Sequence, residues 1–284
     1  GIRDRDVTGV QTCALPIYVD TRSLRGFALR QGHDITGYCY YVRDGRKGLL
    51  GDLYVMAKWN SPESEDALLS AALEDLWHAP GVDRVEAQLL LLGGDPGRRR
   101  LPFPHRLKVF PRQLLEFSAN ESTRLEDRTP AGIVILPWTE ARQDDSARLL
   151  AAAYRGHVDS DINDQYRSTA GARRFLSNIV QYPGCGSFFG AASYMALEGG
   201  AVCGISLASL VAERTGHITQ LCVAPSHRDR GVGYALLRRS LVALAGHGCT
   251  SVSLTVTKAN QHALRFYRRM GFTPLRDFAA YVWE

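Results

Sequence analysis

Arg228-Asp229-Arg230-Gly231-Val232-Gly233-Tyr234 packs two arginines and two glycines into a short stretch ahead of an apolar helical run. The residues before it, ending in Leu221-Cys222-Val223, read as a strand, so the stretch forms a strand–loop–helix connection. A diphosphate needs several N–H donors converging on it, and a helix N-terminus supplies them together with a favourable dipole. Glycine lets the backbone come close where a β-carbon would intrude. Arg228 and Arg230 would add charge-assisted donors. A dinucleotide fingerprint is excluded, because Leu236 stands where a third glycine belongs and no acidic ribose partner follows. A Walker loop is excluded for want of Gly-Lys-Ser/Thr. An ordinary glycine turn before a helix is the other reading of this stretch taken alone.

A second motif, Asn260 to Phe272, begins twenty-seven residues beyond Gly233. Asn260, Ala263, Leu264 and Tyr267 share one helical face by i, i+3, i+4, i+7 spacing. Together the two segments resemble the GCN5-related N-acetyltransferase (GNAT) family. Arg228 to Gly233 stands where that family has Gln/Arg-x-x-Gly-x-Gly/Ala, and Asn260 to Phe272 where it has its last helix and following strand. The resemblance covers about residues 131–284, and residues 18–119 resemble a degenerate copy of the same fold.

The resemblance implies acetyl-CoA as co-substrate, no metal, and direct transfer of the acetyl group to an amine in a ternary complex. It implies a cofactor site of Leu221, Cys222, Val223, the 228–234 stretch including Asp229, Val232 and Tyr234, and Asn260. The amides around Cys222 and Val223 would face the thioester carbonyl as an oxyanion hole. Tyr267 would be the general acid, which suits a phenol (pKa about 10) beside a departing thiolate (about 8.5); a packed tyrosine with a satisfied hydroxyl is the plainer reading. Where histone acetyltransferases of the family carry a carboxylate base, this chain has His217. Histidine can accept a proton near neutrality, but a water-relayed base, no enzymic base, or a strand histidine without a chemical role stay open. Strict alternation along the strand puts His217 on the Val223 face and turns Cys222 away from it. Cys222 has no visible His/Asp partnership and reads as a small buried hydrophobe rather than an acyl-enzyme nucleophile. Asp159, Asp161 and Asp164 lie where the family builds its acceptor wall; they either attract a cationic amine or cap the next helix.

The surrounding elements repeat. In the first half, strands are expected near Gly26–Leu29, Ile35–Val42, Leu49–Met56 and Val85–Leu92, with a helix carrying Leu68, Leu69, Ala72, Leu73 and Leu76 on one side. A loop over Gly93–Pro104, strand character at Leu114–Phe117 and a polar linker at 120–130 follow. The second half is expected to have a strand at Ile133–Leu136 and a helical region from Glu140 to Gln181 broken near His157–Asp164. Strands at Phe188–Leu197, Ala201–Leu210 and His217–Val223, a helix at Gly231–Ala245, a strand at Ser251–Thr257 and a helix from Asn260 ended by Gly271 complete it.

At an offset of 168 residues Leu53 and Val55 match Leu221 and Val223, and Leu68 and Leu69 match Leu236 and Leu237. This is duplication of a whole domain. The same offset replaces Gly231 and Gly233 by Glu63 and Glu65, and Arg228 by Asn60. Carboxylates there would repel a diphosphate, so the first copy is expected to lack the cofactor. The expected fold class is α/β (α+β), two GNAT-like domains, each a mixed, mostly antiparallel sheet flanked by helices.

Val7 to Ile17 matches the in-frame translation of a common short-read sequencing adapter, so residues 1–17 are read as an artefact and set aside. The expected domains are then 18–119, a truncated degenerate copy; 120–130, a linker; and 131–284, the catalytic domain. Charged residues make up 22% of the 284-residue chain, which excludes wholesale disorder. No apolar run reaches the eighteen or so residues of a membrane span. The net charge of +5 is spread along the chain, with Arg98–Arg100 the longest basic run, so no nucleic-acid partner is expected. The six cysteines show no C-x-x-C pair, which points to reduced thiols in the cytoplasm. The partner expected is an amine-bearing small molecule or protein; a non-catalytic acyl-CoA sensor is the rival function.

Overall fold

Local sequence signals account for the elements. The computed structural model describes residues 25–93, 99–182 and 186–284; the adapter-like segment, Cys13 and Cys185 lie outside them. Two compact units are present. The N unit holds the described residues up to Gln113, with Thr257–Ala259 and Arg276–Glu284; the C unit holds Leu114–Val256 and Asn260–Leu275.

In the N unit, β1 (Arg25–Gln31), β2 (Asp34–Asp44) and β3 (Lys47–Val55) form an antiparallel meander. Helix α1 (Pro62–His78) then crosses over to β4 (Arg84–Gln88), which pairs parallel with β3. Pro62 and the Ser61 side chain, which accepts from the Ser64 N–H, start α1. Its leucines at 68, 69, 73 and 76 pack on Leu53, Val55 and Val85. The strand at the other edge of β4 comes from the C-terminus: in β12 (Thr273–Trp283), Ala280 to Trp283 pair antiparallel with Gln88 to Val85. Tyr281 and Trp283 bury their rings in the N-unit core, and the Trp283 indole N–H donates to the Pro102 carbonyl at 2.9 Å.

Strand β5 (Leu107–Ser118), much longer than the Leu114–Phe117 expected, gives residues to both units, as β12 does. The C unit continues with β6 (Ile133–Pro137), α2 (Gln143–Ala153), the one-turn α3 (Asp159–Ile162) and α4 (Thr169–Gln181). The strand expected over Phe188–Leu197 is two, β7 (Ser187–Phe188) and β8 (Tyr194–Glu198), separated by a 3-10 turn at Gly190–Ala192. Next come β9 (Ala201–Ala212), β10 (Thr215–Val223), α5 (Val232–Gly246), β11 (Ser251–Thr257) and α6 (Gln261–Arg269). The strand order is β5-β11-β10-β9-β8-β6, antiparallel except that α5 crosses from β10 to the parallel β11. Leu149, Leu150 and Leu176 of α2 and α4 cover one face over Ile205, Leu207 and Cys222. Leu237, Leu241, Leu244 and Leu264 of α5 and α6 cover the other over Ile218, Val252 and Leu254.

The expected linker is held to α5. After a 3-10 turn at Ala119–Arg124, the Arg238 guanidinium donates to the Leu125 carbonyl and the Tyr234 hydroxyl to the Glu126 carbonyl.

The two units repeat the same meander and crossover at the offset seen in the sequence. Strand β3 falls on β10 from its first residue to its last. A β-carbon on Gly48 would lie 2.7 Å from Leu76, and one on Gly216 2.8 Å from Leu244, the residue at the matching position. Each crossover helix thus packs a leucine onto a glycine in the strand before it.

Candidate active site

Strand β10 carries a bulge that sets which way its side chains point. Its register with β9 slips between Ile218 and Gln220. Before the slip, Gly216 and Ile218 face α5; after it, Leu221 and Val223 do so, packed beside Val232 and Leu236. His217 therefore shares a face with Gln220 and Cys222, opposite Val223. The alternation expected from the sequence is corrected here: the extra residue at Thr219, whose hydroxyl donates to the Leu207 carbonyl at 3.0 Å, inverts the phase.

The ladder between β10 and β11 runs from Thr215↔Ser251 to His217↔Ser253, and no further pair joins them among the described residues. Beyond His217, β10 is paired only to β9. The Ala224 N–H donates to the Cys203 carbonyl of β9 at 2.8 Å. Alternation from that bond turns the Cys222 N–H toward β9 as well and leaves those of Leu221 and Val223 aimed at the open edge. Two donors spaced along an unpaired strand edge can hold a carbonyl oxygen that gains negative charge.

At the head of α5, Asp229 (φ 59°) and Gly231 (φ 84°) both sit in the left-handed region, and Gly231 caps the helix without any side-chain acceptor for its first N–H groups. These belong to Val232, Gly233 and Tyr234. A β-carbon on Gly233 would stand 3.6 Å from Val223 and 3.9 Å from Phe266, ordinary packing distances. Protein sterics do not demand glycine there.

The arginines are engaged elsewhere. The Arg228 guanidinium donates to the Ala153 carbonyl at the end of α2 (2.8 Å), and Arg230 reaches Glu198 at 2.5 Å. His227 Nε2 lies 2.9 Å from the other Glu198 oxygen. The bond from Arg230, then that from His227, holds the Glu198 carboxyl below its ordinary range. Asp229 pairs with His262 at 3.3 Å. The Tyr234 hydroxyl is turned to Glu126, so only its N–H belongs to the helix mouth. One N–H of each of these exposed arginines is thus bonded to protein.

Asn260 Oδ1 accepts from the Ala263 N–H at 3.1 Å, capping α6, while its Nδ2 lies 3.0 Å from His157 Nε2. That contact was not readable from sequence. Tyr267 is half-buried, its ring edge-on to Phe272 at 5.8 Å and beside Phe266 at 5.3 Å. On the far face of β10, Gln220 donates to the Tyr154 hydroxyl at 2.8 Å, and Tyr154 stacks on Tyr166 with centroids 4.4 Å apart. Burial drives the Tyr154 phenol well above its usual pKa. Asp159 and Asp161 fall in the first turn of α3, and Asp164 opens the 3-10 turn at Asp164–Arg167. Cys222 is buried, and that burial pushes its thiol up to about 12.

The geometry sits on a chain that a family model, the acetyltransferase (GNAT) family, matches over residues 143–272. Over those residues the chain belongs to the GNAT acetyltransferase superfamily. A mycothiol acetyltransferase of Acidimicrobium ferrooxidans is 27% identical over 93% of this chain and 84% of its own. Another, from Corynebacterium jeikeium, is 33% identical over 69 residues, 24% of this chain and only 20% of that protein. A GNAT structure from Sphaerobacter thermophilus superposes with TM-score 0.65 at 18% identity, covering 88% of this chain and 76% of that one. A tandem GNAT protein of the clavulanic acid pathway gives 0.64 at 17% identity, covering 96% and 89%. Those two likenesses carry the fold, a GNAT-like mixed sheet flanked by helices.

In the first GNAT-like copy the place of Gly233 holds Glu65, only 2% exposed and ion-paired with Arg99. Its carboxylate also accepts the Gly93 N–H at 3.2 Å, and Arg99 reaches Asp66 at 2.7 Å. Side chains fill what glycine leaves open in the second copy. Among the described residues no group of three His, Cys, Asp or Glu is placed to hold a metal ion, and no helix is long and apolar enough to cross a membrane.

Proposed function

We propose that the C unit binds acetyl-CoA at the mouth of α5 and transfers its acetyl group directly to an amine. The observation that carries this is a helix N-terminus with no side-chain cap, opened by Gly231 and Gly233, beside the unpaired edge of β10. The N–H groups of Val232, Gly233 and Tyr234 would hold the diphosphate. Those of Leu221 and Val223 would receive the thioester oxygen, and they strengthen as it becomes an oxyanion. An unprotonated amine then forms the C–N bond as the C–S bond breaks; the surplus proton on the new amide nitrogen passes to a base, and Tyr267 gives its phenolic proton to the departing thiolate. His217 is the candidate base. Cys222 stays a thiol, which favours one-step transfer over an acyl-enzyme.

The N unit, with Glu65 and Arg99 in the place of the cradle, would serve as a cofactor-free structural or substrate-shaping partner of the catalytic C unit, which takes in the residues from Leu114 and leaves 276–284 to the N unit. The buried free thiols Cys39, Cys203, Cys222 and Cys249 fit a reducing, cytoplasmic setting. The relative that matches along most of its length acts in mycothiol acetylation by its name, so its acceptor heads the amines to test.

Calorimetry with coenzyme A should show binding at low salt. Release of free thiol from acetyl-CoA should depend on an added amine and fall steeply in Tyr267→Phe. Coenzyme A binding without amine-dependent release across a broad panel would make the protein an acyl-CoA sensor instead.

A further inference from the structure

The two faces of the C-unit sheet are covered by different helices, yet one side-chain contact joins them. Helix α2 lies over Ile205, Leu207 and Cys222, while α6, through Leu264, lies over Ile218, Val252 and Leu254. His157 follows α2, tied by its N–H to the Tyr154 carbonyl at 3.0 Å and set edge-on to the Tyr154 ring. Asn260 heads α6. Their side chains nevertheless meet, with Asn260 Nδ2 3.0 Å from His157 Nε2. Elements on opposite faces of a sheet touch only past an edge or where strands part, and among the described residues the β10–β11 ladder ends at His217↔Ser253. Each of the two side chains is oriented by a main-chain donor. The Ala263 N–H donates to Asn260 Oδ1 at 3.1 Å, so the atom turned to His157 is Nδ2, which can only donate. The Asp159 N–H donates to His157 Nδ1 at 3.1 Å, so the neutral imidazole carries its hydrogen on Nε2. The Asp159 carboxylate stands 3.7 Å from Nδ1, too far to bond it. Protonation of the ring would leave Nε2 a donor all the same. Two donors thus face each other, and neither serves the other.

We propose that His157 and Asn260 form a two-donor clamp for a carbonyl oxygen on the amide-bearing pantetheine arm of coenzyme A. This rests on the reading of the C unit as an acetyl-CoA site. The N–H groups of Leu221 and Val223 aim at the same open edge of β10, so the arm that brings the thioester to them passes this pair. Nitrogens 3.0 Å apart are close enough for one oxygen to lie within bonding distance of both. Asn260 already belongs to the cofactor site expected from the sequence. His157 is the addition, and it comes from the stretch expected to form the acceptor wall, so one residue ties the acceptor side to the cofactor arm.

The test compares coenzyme A with ADP carrying the ribose phosphate of coenzyme A, a nucleotide that keeps the diphosphate and lacks the arm. In calorimetry His157→Ala should weaken coenzyme A about tenfold, the worth of one such bond, and leave the nucleotide unaffected. His157→Gln, whose side-chain amide keeps a donor at similar reach, should recover most of that loss. Equal weakening of both ligands, or of neither, overturns the proposal. Long-range proton–nitrogen spectra of protein labelled with 15N-histidine, with the His157 signal assigned by its loss in His157→Gln, decide even where His157→Ala does not fold. The ligand-free wild type should carry hydrogen on Nε2, and that proton should move downfield with coenzyme A and stay in place with the nucleotide. A hydrogen on Nδ1 alone, or an Nε2 proton indifferent to coenzyme A, overturns the proposal. Wild-type protein that binds neither ligand defeats the acetyl-CoA reading itself, a result distinct from binding that ignores His157.

Discussion

Glu65 of the N unit occupies the position of Gly233 in the C unit, and its buried carboxylate is locked to Arg99. The duplicated helix start has become an ion-pair site in one copy and has stayed open in the other. Removing the charge of Glu65 leaves Arg99, whose side chain is 9% exposed, with only Asp66 as a carboxylate partner among the bonds described. Breaking a buried pair by removing one partner costs about 3 kcal/mol. Glu65→Gln should lower stability by that order in chemical denaturation. It should not create a second coenzyme A site, so calorimetry should still return one equivalent per chain.

The twin glycines give a second prediction. A β-carbon at Gly216 would press on both Leu244 methyls at 2.8 and 2.9 Å, and one at Gly48 on both Leu76 methyls at 2.7 Å. Overpacking a filled core costs about 1–3 kcal/mol. Gly216→Ala and Gly48→Ala should each lower the thermal midpoint, and by similar amounts. A large effect at one position alone would break the claimed equivalence of the two crossovers.

Much of this architecture was legible in the sequence because each crossover couples a β-branched or leucine-rich strand to a helix with one apolar side, and both periods show in single residues. The match of Leu53 with Leu221 carried the repeat. The bulge at Thr219 leaves no mark, since one inserted residue changes no residue type, and strict alternation therefore puts His217 on the wrong face. The arginine bonds were equally hidden: Arg228 finds Ala153 across 75 residues, a separation no local pattern encodes. Nor did the apolar run Phe278–Trp283 say which edge it would join, because an alternating strand fits any free edge; it pairs with β4.

Cys222 should be chemically silent in the native protein. Burial raises its thiol from 9.0 to about 12, so the thiol form persists through neutral and mildly alkaline pH. At pH 8 the thiolate fraction is about one in ten thousand. An aromatic disulfide reagent should label Cys222 only after unfolding, and mass spectrometry of protein incubated with acetyl-CoA should find no acetyl group on it. Stoichiometric acetylation of Cys222 would replace direct transfer by a two-step route.

The clamp of Arg230 and His227 on Glu198 should show a defined pH dependence. The folded carboxyl lies below its ordinary value of 4.5, chiefly through the bond from Arg230. A carboxylate with a lowered folded pKa contributes stability in full above the unfolded value, and loses it as pH falls through the lower, folded one. Glu198→Gln should therefore melt below the wild type at neutral pH, with the gap closing only under pH 4.5. The gap should also shrink with added salt, because both partners are partly exposed. A difference that grows on acidification would mean that Glu198 acts through some contact other than this clamp.

The two glycines at the head of α5 should respond differently to a β-carbon. Gly231 has φ 84°, a conformation strained for any L side chain, so Gly231→Ala should cost about 1–2 kcal/mol of stability and coenzyme A affinity together. Gly233 is different, because the nearest atoms to an added β-carbon are Val223 Cγ2 at 3.6 Å and Phe266 at 3.9 Å, distances at which packing is neutral or favourable. Exchanging glycine for alanine inside a helix also favours the helix by roughly 0.5–1 kcal/mol. Gly233→Ala should hence melt at or above the wild-type temperature and keep its coenzyme A affinity, since the family motif admits alanine at this position. Gly233→Glu, which places here the residue type that Glu65 supplies in the first copy, should weaken coenzyme A binding by about tenfold or more, because a carboxylate at the helix mouth repels the diphosphate. Thermal melts and calorimetry on one preparation read both quantities, and full coenzyme A affinity in a well-folded Gly233→Glu protein would mean that the ligand does not rest on this helix mouth.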